Sequence, residues 1–206
     1  METSSYPVDF SDPMVSLTRG FHGAVPRDLS GVVLDLATMG NRTSLWSAHG
    51  IIPPTCFQEL NAVGVVEEPV ELYLLANPIH QDGKIRVRVR GRCWSQIQVA
   101  CVRCLIEFSL PLEVEIDAFY AAGKDPALQN KRWQMEEDVV FLADGILKLP
   151  GLAEEELLLA LPMNPVCNTE CAGLCPGCGA DLNHHPCECR LEPTGPFAVL
   201  KKLQSI

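Results

Sequence analysis

Between Lys84 and Arg92 the chain alternates without interruption. Even positions carry Lys84, Arg86, Arg88, Arg90 and Arg92, and odd positions carry Ile85, Val87, Val89 and Gly91. A period of two belongs to a β-strand with one buried and one wet face. Ile97, Val99 and Cys101 keep the odd inward register. After Cys101-Val102-Arg103-Cys104, Leu110, Leu112, Val114 and Ile116 turn inward again, while Glu113, Glu115 and Asp117 turn out. The pattern predicts a hairpin with a cationic first arm and an acidic second arm. Upstream, Val32–Leu36 reads as a strand ended by a Gly40-Asn41 turn, and 63–76 as a second, ended by turns at Asn77-Pro78 and Asp82-Gly83.

The period lengthens further on. Leu152–Leu161 is rich in helix formers, with Glu154, Glu155 and Glu156 expected in its first turn and a stop at Pro162. Its leucines are expected in the core. Pro196–Leu203 reads as a short helix with the apolar stripe Phe197, Leu200 and Leu203. Residues 1–30 and 121–138 show little periodicity and read as a lead-in and a linker. They divide the chain into a β-rich part at 31–120 and a helix-and-cysteine part at 139–206, with 31–206 as one domain. The expected class is α+β: an antiparallel β-rich sheet or partly open barrel with a small helical, cysteine-rich, zinc-binding C-terminal lobe.

Composition narrows the function. With 206 residues, 47% of them hydrophobic, the chain can bury a substantial core. It has no apolar run long enough to span a membrane, and its start lacks the layout of a secretory signal, which predicts a soluble cytoplasmic protein. A formal charge of −10 opposes a broad polyanion-binding surface, so any RNA contact must be local.

The ten cysteines change the picture most. In a reducing compartment, clustered thiols read as metal ligands rather than as a disulfide framework. Cys175-Pro176-Gly177-Cys178-Gly179 has the spacing of a zinc knuckle, and Cys187-Glu188-Cys189 follows closely enough to complete a four-thiolate shell. A second shell would join Cys101 and Cys104 to Cys167 and Cys171, an expectation about a tertiary contact that spacing does not dictate. His184 or His185 could replace one thiolate. Cys56 and Cys93 read as small core residues. One or two structural zinc ions are expected. A closed four-thiolate shell leaves no position for water, so the ion organises loops and activates no nucleophile.

Two other chemistries arise from the same residues. Cys101 and Cys104 could serve a thiol–disulfide or metal-transfer enzyme, with Arg103 lowering a thiol pKa, although the pair joins strands and does not open a helix. Lys84, Arg86, Arg88, Arg90 and Arg92 could contact phosphate. Alternatively, they could pair with the acids of the return strand. No nucleophile elbow, phosphate-binding glycine loop or zinc-protease helix is present.

Several segments together resemble the YceD family of large ribosomal RNA subunit accumulation proteins. They are Cys101-Val102-Arg103-Cys104-Leu105 with its following Leu-Pro-Leu-Glu-Val strand, the leucine-rich Glu154–Pro162 stretch and Pro165-Val166-Cys167. Cys171 through Asn183, Cys187-Glu188-Cys189 and Pro196–Leu203 complete the set. The resemblance covers about the last 120 residues. It implies a non-catalytic factor that supports large-subunit rRNA accumulation or processing and ribosome assembly. The implied partners are a large-subunit precursor, rRNA or a basic ribosomal protein, with neither membrane nor small-molecule substrate. A bacterial cytoplasm is the expected location, ahead of a plastid.

Overall fold

In the computed structural model, residues 27–41, 45–81, 84–123 and 139–189 are described. They fall into two compact units. One takes the described residues up to Ile97 together with those of Leu110–Leu161, and the other takes Gln98–Ser109 and the described residues from Pro162. The expected linker, apart from its first residues, and the expected helix at Pro196–Leu203 lie outside the described residues.

The first unit is built on a sheet. Its strands are β1 (Val33–Asp35), β2 (Trp46–Ile52), β3 (Val65–Val66), β4 (Val70–Gln81), β5 (Lys84–Ala100), β6 (Glu107–Ala122), β7 (Val139–Leu142) and β8 (Ile146–Lys148). Three α-helices among the described residues accompany them: α1 (Leu36–Gly40), α2 (Glu59–Val63) and α3 (Leu149–Ala160). The main sheet runs β2-β4-β5-β6-β7 as an open path, with β3 paired to β5, so the barrel alternative does not close. β4 is antiparallel to β2 and β5, β7 joins β6 in parallel, and β1 with β8 forms a separate antiparallel pair.

The alternation of β5 and β6 is realised except at Ile85, which is 46% exposed where the pattern turns it inward. Val87, Val89, Cys93, Ile97 and Val99 are buried from β5, and Leu112 and Ile116 from β6, with Leu72 and Leu74 of β4 also fully enclosed. The outer face carries paired charges: Arg88 meets Asp117 at 2.7 Å and Arg92 meets Glu115 at 2.6 Å. Burial pushes the Cys93 thiol up to about 12, which makes it an inert core residue.

Local expectations fail where a side chain or a neighbouring strand intervenes. The strand at Val32–Leu36 shrinks to Val33–Asp35 because the Asp35 carboxylate accepts from Ala37 N at 2.9 Å and Thr38 N at 3.2 Å, capping α1 at Leu36. Gly40-Asn41 is therefore a helix end. The expected strand at 63–76 is broken: Val63 closes α2, β3 spans two residues, and β4 starts at Val70. Asn77-Pro78 is no turn, since β4 runs through it to Gln81. Among the described residues β2 pairs with β4 only as far as Ala76, so Pro78 lies beyond the stretch of β4 flanked on both sides, the kind of place in a sheet that tolerates proline.

The leucine-rich helix starts earlier than its acids suggest, at Leu149, with Pro150 in its first turn. Leu149, Leu152, Ala153 and Leu157 are buried, while Leu159 is exposed. The three glutamates consequently miss the first turn of α3, and one of them serves another helix. Glu154 Oε1 accepts from Glu59 N at 2.8 Å and Leu60 N at 3.1 Å, capping α2, whose own cap residue Gln58 supplies no such bond. Replacing Glu154 with alanine is expected to cost ~0.5–2 kcal/mol. Urea unfolding measures that cost, and an unchanged midpoint would deny Glu154 the capping role.

Among its described residues the second unit has almost no ordinary core. Cys101, Cys104 and Cys171 are its buried centre, with Phe108, Val166, Cys167 and Leu174 packed against them. Apart from the ends of β5 and β6 at Gln98–Ala100 and Glu107–Ser109, its described residues form turns and one isolated bridge, Leu174 with Asp181. So small an apolar centre needs a further staple.

Candidate metal centres

Two knuckles with the same local backbone supply the first two sulfurs of each group. At the hairpin tip, Arg103 N donates to Cys101 Sγ at 3.4 Å and Leu105 N to Cys101 O at 2.9 Å. In the later segment, Gly177 N donates to Cys175 Sγ at 3.4 Å and Gly179 N to Cys175 O at 2.8 Å. Both turns end in the left-handed region, at Leu105 (φ 62°) and Gly179 (φ 73°). Glycine takes that conformation freely, whereas leucine there costs about 1–2 kcal/mol.

Tertiary contacts bring the remaining ligands. Val102 N donates to Pro165 O at 2.9 Å and Leu174 N to Arg103 O at 3.0 Å, so the segment after Pro162 lies along the hairpin tip. Gly173, at φ 76°, passes so close that a Cβ there would meet Arg103 O at 3.0 Å. The Arg103 guanidinium ties the contact together by donating to Thr169 O at 3.3 Å and Cys171 O at 2.9 Å. Asn183 links the two halves of the segment: Oδ1 accepts from Ala172 N at 2.8 Å, and Nδ2 lies 3.5 Å from Cys171 Sγ. Asp181 holds Asn183 in turn, through Oδ1 at 2.9 Å from its N and 2.7 Å from its Nδ2. Such donors to ligand sulfur orient the thiolate and spread its charge.

The result is two four-sulfur groups, Cys101, Cys104, Cys167 and Cys171, and Cys175, Cys178, Cys187 and Cys189. Within each, all ligand atoms lie within 4.8 Å of one another. Cys101 Sγ is 3.9 Å from Cys171 Sγ and Cys104 Sγ is 3.6 Å from Cys167 Sγ. A tetrahedral ion bound at about 2.3 Å places its sulfurs roughly 3.8 Å apart, whereas a disulfide requires about 2.05 Å. The sulfurs therefore fit a metal and do not form bridges. A tetrahedral four-sulfur set suits zinc or iron.

The two groups differ in exposure. Three sulfur residues of the first are buried and Cys167 is half-buried, while Cys178 and Cys189 of the second are exposed. The histidine alternative finds no support: neither His184 nor His185 belongs to a four-ligand group, and His184 lies 3.8 Å from the Asp181 carboxylate with most of its ring in solvent.

The electrostatics carry the same message. Burial raises the Cys101 thiol, but hydrogen bonds, first from the Cys167 backbone and then from Cys104 and Arg103 of its own knuckle, outweigh it and bring the value down to about 6. Knuckle hydrogen bonds, first from Cys178, likewise lower Cys175 to about 6. Burial and neighbouring sulfurs push Cys167 up to about 12, and neighbouring sulfurs, Cys178 first, push Cys189 to about 12. Thiolates packed this closely repel one another, and a dication removes that repulsion.

The cysteine spacing makes the second group legible in sequence. Asn183, Asp181, Arg103 and Gly173 escape sequence reasoning as supports, and short Asx residues beside the cysteines are the available signal. Among the cationic candidates, Arg88 and Arg92 stand in the ion pairs described above, and Arg88 also lies over the Phe119 ring at 5.5 Å. No helix among the described residues is long and apolar enough to cross a membrane.

The family model described as large ribosomal RNA subunit accumulation protein YceD matches residues 82–204, more than half of the chain. An uncharacterized protein of Mycobacterium leprae is 27% identical over 175 residues, covering 83% of this chain and 77% of its own length. Uncharacterized proteins of Mycobacterium bovis and Mycobacterium tuberculosis are each 24% identical over 176 residues, covering 84% of this chain and 82% of their own. No solved structure matches. The matched span takes in both arms of the hairpin and all eight clustered cysteines, and the chain belongs to the YceD family.

Proposed function

We propose that this chain is a non-catalytic cytoplasmic factor of a bacterium that supports large-subunit rRNA accumulation and ribosome assembly. Two structural zinc ions, one in each four-sulfur group, organise its binding lobe. The observation carrying this reading is the closed donor set: four sulfurs per group leave a tetrahedral ion no position for water or substrate. Zinc is the preferred ion because it stays redox-inert while holding loops together. The family description supplies the ribosomal context. Deleting the gene in its host should lower large-subunit rRNA relative to small-subunit rRNA, with rescue by the full chain. Balanced rRNA in the deletion strain would end this reading.

The thiol–disulfide alternative gains little from the geometry. Cys101 has no exposed surface and shares its site with three other sulfurs, whereas a reactive thiol must be reached by its substrate. Protein purified under reducing conditions should carry two zinc ions and unreactive thiols. Metal-free protein with one fast-reacting thiol would favour the enzyme.

An RNA contact through Lys84, Arg86, Arg88, Arg90 and Arg92 is a secondary element of the proposal. There, phosphate would have to displace Asp117 from Arg88 and Glu115 from Arg92. Reversing the charge of Arg86, Arg88 and Arg90 together should weaken RNA binding and flatten its salt dependence, the slope falling by about 0.7–0.9 for each phosphate no longer neutralised. Unaltered affinity for an rRNA fragment would assign the row to the sheet's own carboxylates.

A further inference from the structure

The hairpin-tip knuckle exposes what a small metal lobe would ordinarily hide. Val102 is 50% exposed, Leu105 66% and Ile106 53%, all within one turn of chain. Met163, 95% exposed, lies two residues from Pro165, whose carbonyl accepts from Val102 N. Large aliphatic side chains clustered at a polar rim mark interaction sites, and methionine suits adaptable ones.

A second observation points the same way. Leu105 holds the left-handed position that Gly179 fills in the matching knuckle, with its side chain turned to solvent. The fold has a residue type that takes this conformation without strain and uses it at the other knuckle. Leucine at 105 is thus unfavourable for the backbone and gains no core burial in return, and backbone strain of this kind gathers at ligand clamps and functional sites.

Charge identifies the occupant. The second unit carries Glu107, Glu170, Asp181, Glu188 and Glu192 against Arg103, Arg190, Lys201 and Lys202, and Arg103 is already bonded to two carbonyls. Four thiolates around a dication add a net double negative charge at each filled site. A polyanion is repelled from such a surface, whereas a cationic chain is attracted.

We propose that the knuckle tip formed by Val102, Leu105, Ile106 and Met163 docks a cationic polypeptide segment in which large aliphatic residues alternate with lysine and arginine. This deepens the assembly-factor reading and rests on it for the biological source of that segment. Apolar side chains would anchor on the tip while basic ones meet Glu107 and the acidic lobe.

The test uses the full metal-loaded chain and three labelled 20-residue peptides followed by fluorescence anisotropy. One alternates leucine and valine with lysine and arginine, one replaces the aliphatics with serine, and one replaces the bases with glutamate. The first should bind, with the other two weaker by about tenfold or more. Leu105→Gly should weaken the first peptide by a similar factor while zinc content stays the same and the unfolding midpoint stays level or rises, because the backbone is relieved. A serine peptide or glutamate peptide binding as tightly as the first would overturn the proposal, as would unchanged affinity in Leu105→Gly. Competition at the tip by an rRNA fragment or by a second copy of the chain would also overturn it. The peptide result stands apart from the rRNA ratio of the deletion strain, so each reading fails separately.

Discussion

Replacing Cys104 with serine is expected, on the proposed two-zinc reading, to lower bound zinc from two ions per chain to one and to destabilise the second unit by several kcal/mol. Apparent binding free energies of structural zinc sites run to about 10–16 kcal/mol, and where no site preforms, that energy is folding energy. Among the described residues, the buried centre of this unit consists of the candidate ligands Cys101, Cys104 and Cys171. Losing the ion leaves polar sulfurs in place of a core, with little apolar packing to fall back on. The two groups should not respond alike. The first joins sulfurs 63 and 70 residues apart in sequence, and closing a longer loop restricts the unfolded chain more. The second closes a local segment between Cys175 and Cys189. Cys187→Ser should therefore also remove one ion but cost less. Metal analysis with thermal unfolding reads both effects, and two zinc ions retained in Cys104→Ser would refute the assigned ligand set.

Gly91→Ala should destabilise the sheet by about 3 kcal/mol or more, beyond the usual range for adding one methyl group. Gly91 sits on the buried face of β5, opposite Leu74 of β4. A Cβ there would lie 2.1 Å from Tyr73 O and 2.4 Å from Leu74 Cδ2. The side chain could move, but the carbonyl belongs to the backbone of the paired strand, so relief requires separating β4 from β5 at the centre of the sheet. Gly151→Ala provides a control of opposite sign. It lies in α3 with nothing within 4 Å of the added carbon and should stabilise by roughly 0.5–1 kcal/mol. Urea midpoints measure the pair, and a Gly91→Ala midpoint equal to that of the parent would contradict the close approach of β4 and β5.

The contrast between these sites shows how much of the fold is legible in the sequence. Gly91 looks like an apolar-row residue of an alternating strand, which it is. Its close approach to Tyr73 depends on a partner strand that spacing does not name. Asp35 carries a visible capping side chain, yet the β-branched run before it suggests a longer strand. Pro78 signals a turn by composition, yet β4 passes through it, paired there with Val87 of β5. Glu154 has the position of a residue favouring its own helix and instead caps another one, a contact across about 95 residues of sequence.

By itself the sequence determined the alternation of β5 and β6, the core side of the leucine-rich helix and the knuckle at Cys175 and Cys178. These depend on near neighbours, whose spacing follows from a strand period of two, a helix period of 3.6 and the short reach of a thiolate pair. Only the tertiary structure decided that Cys101 and Cys104 meet Cys167 and Cys171, that Arg88 and Arg92 face Asp117 and Glu115, and that Leu105 stays in solvent. Those outcomes depend on how segments distant in sequence pack together, a free-energy balance that local periodicity does not contain.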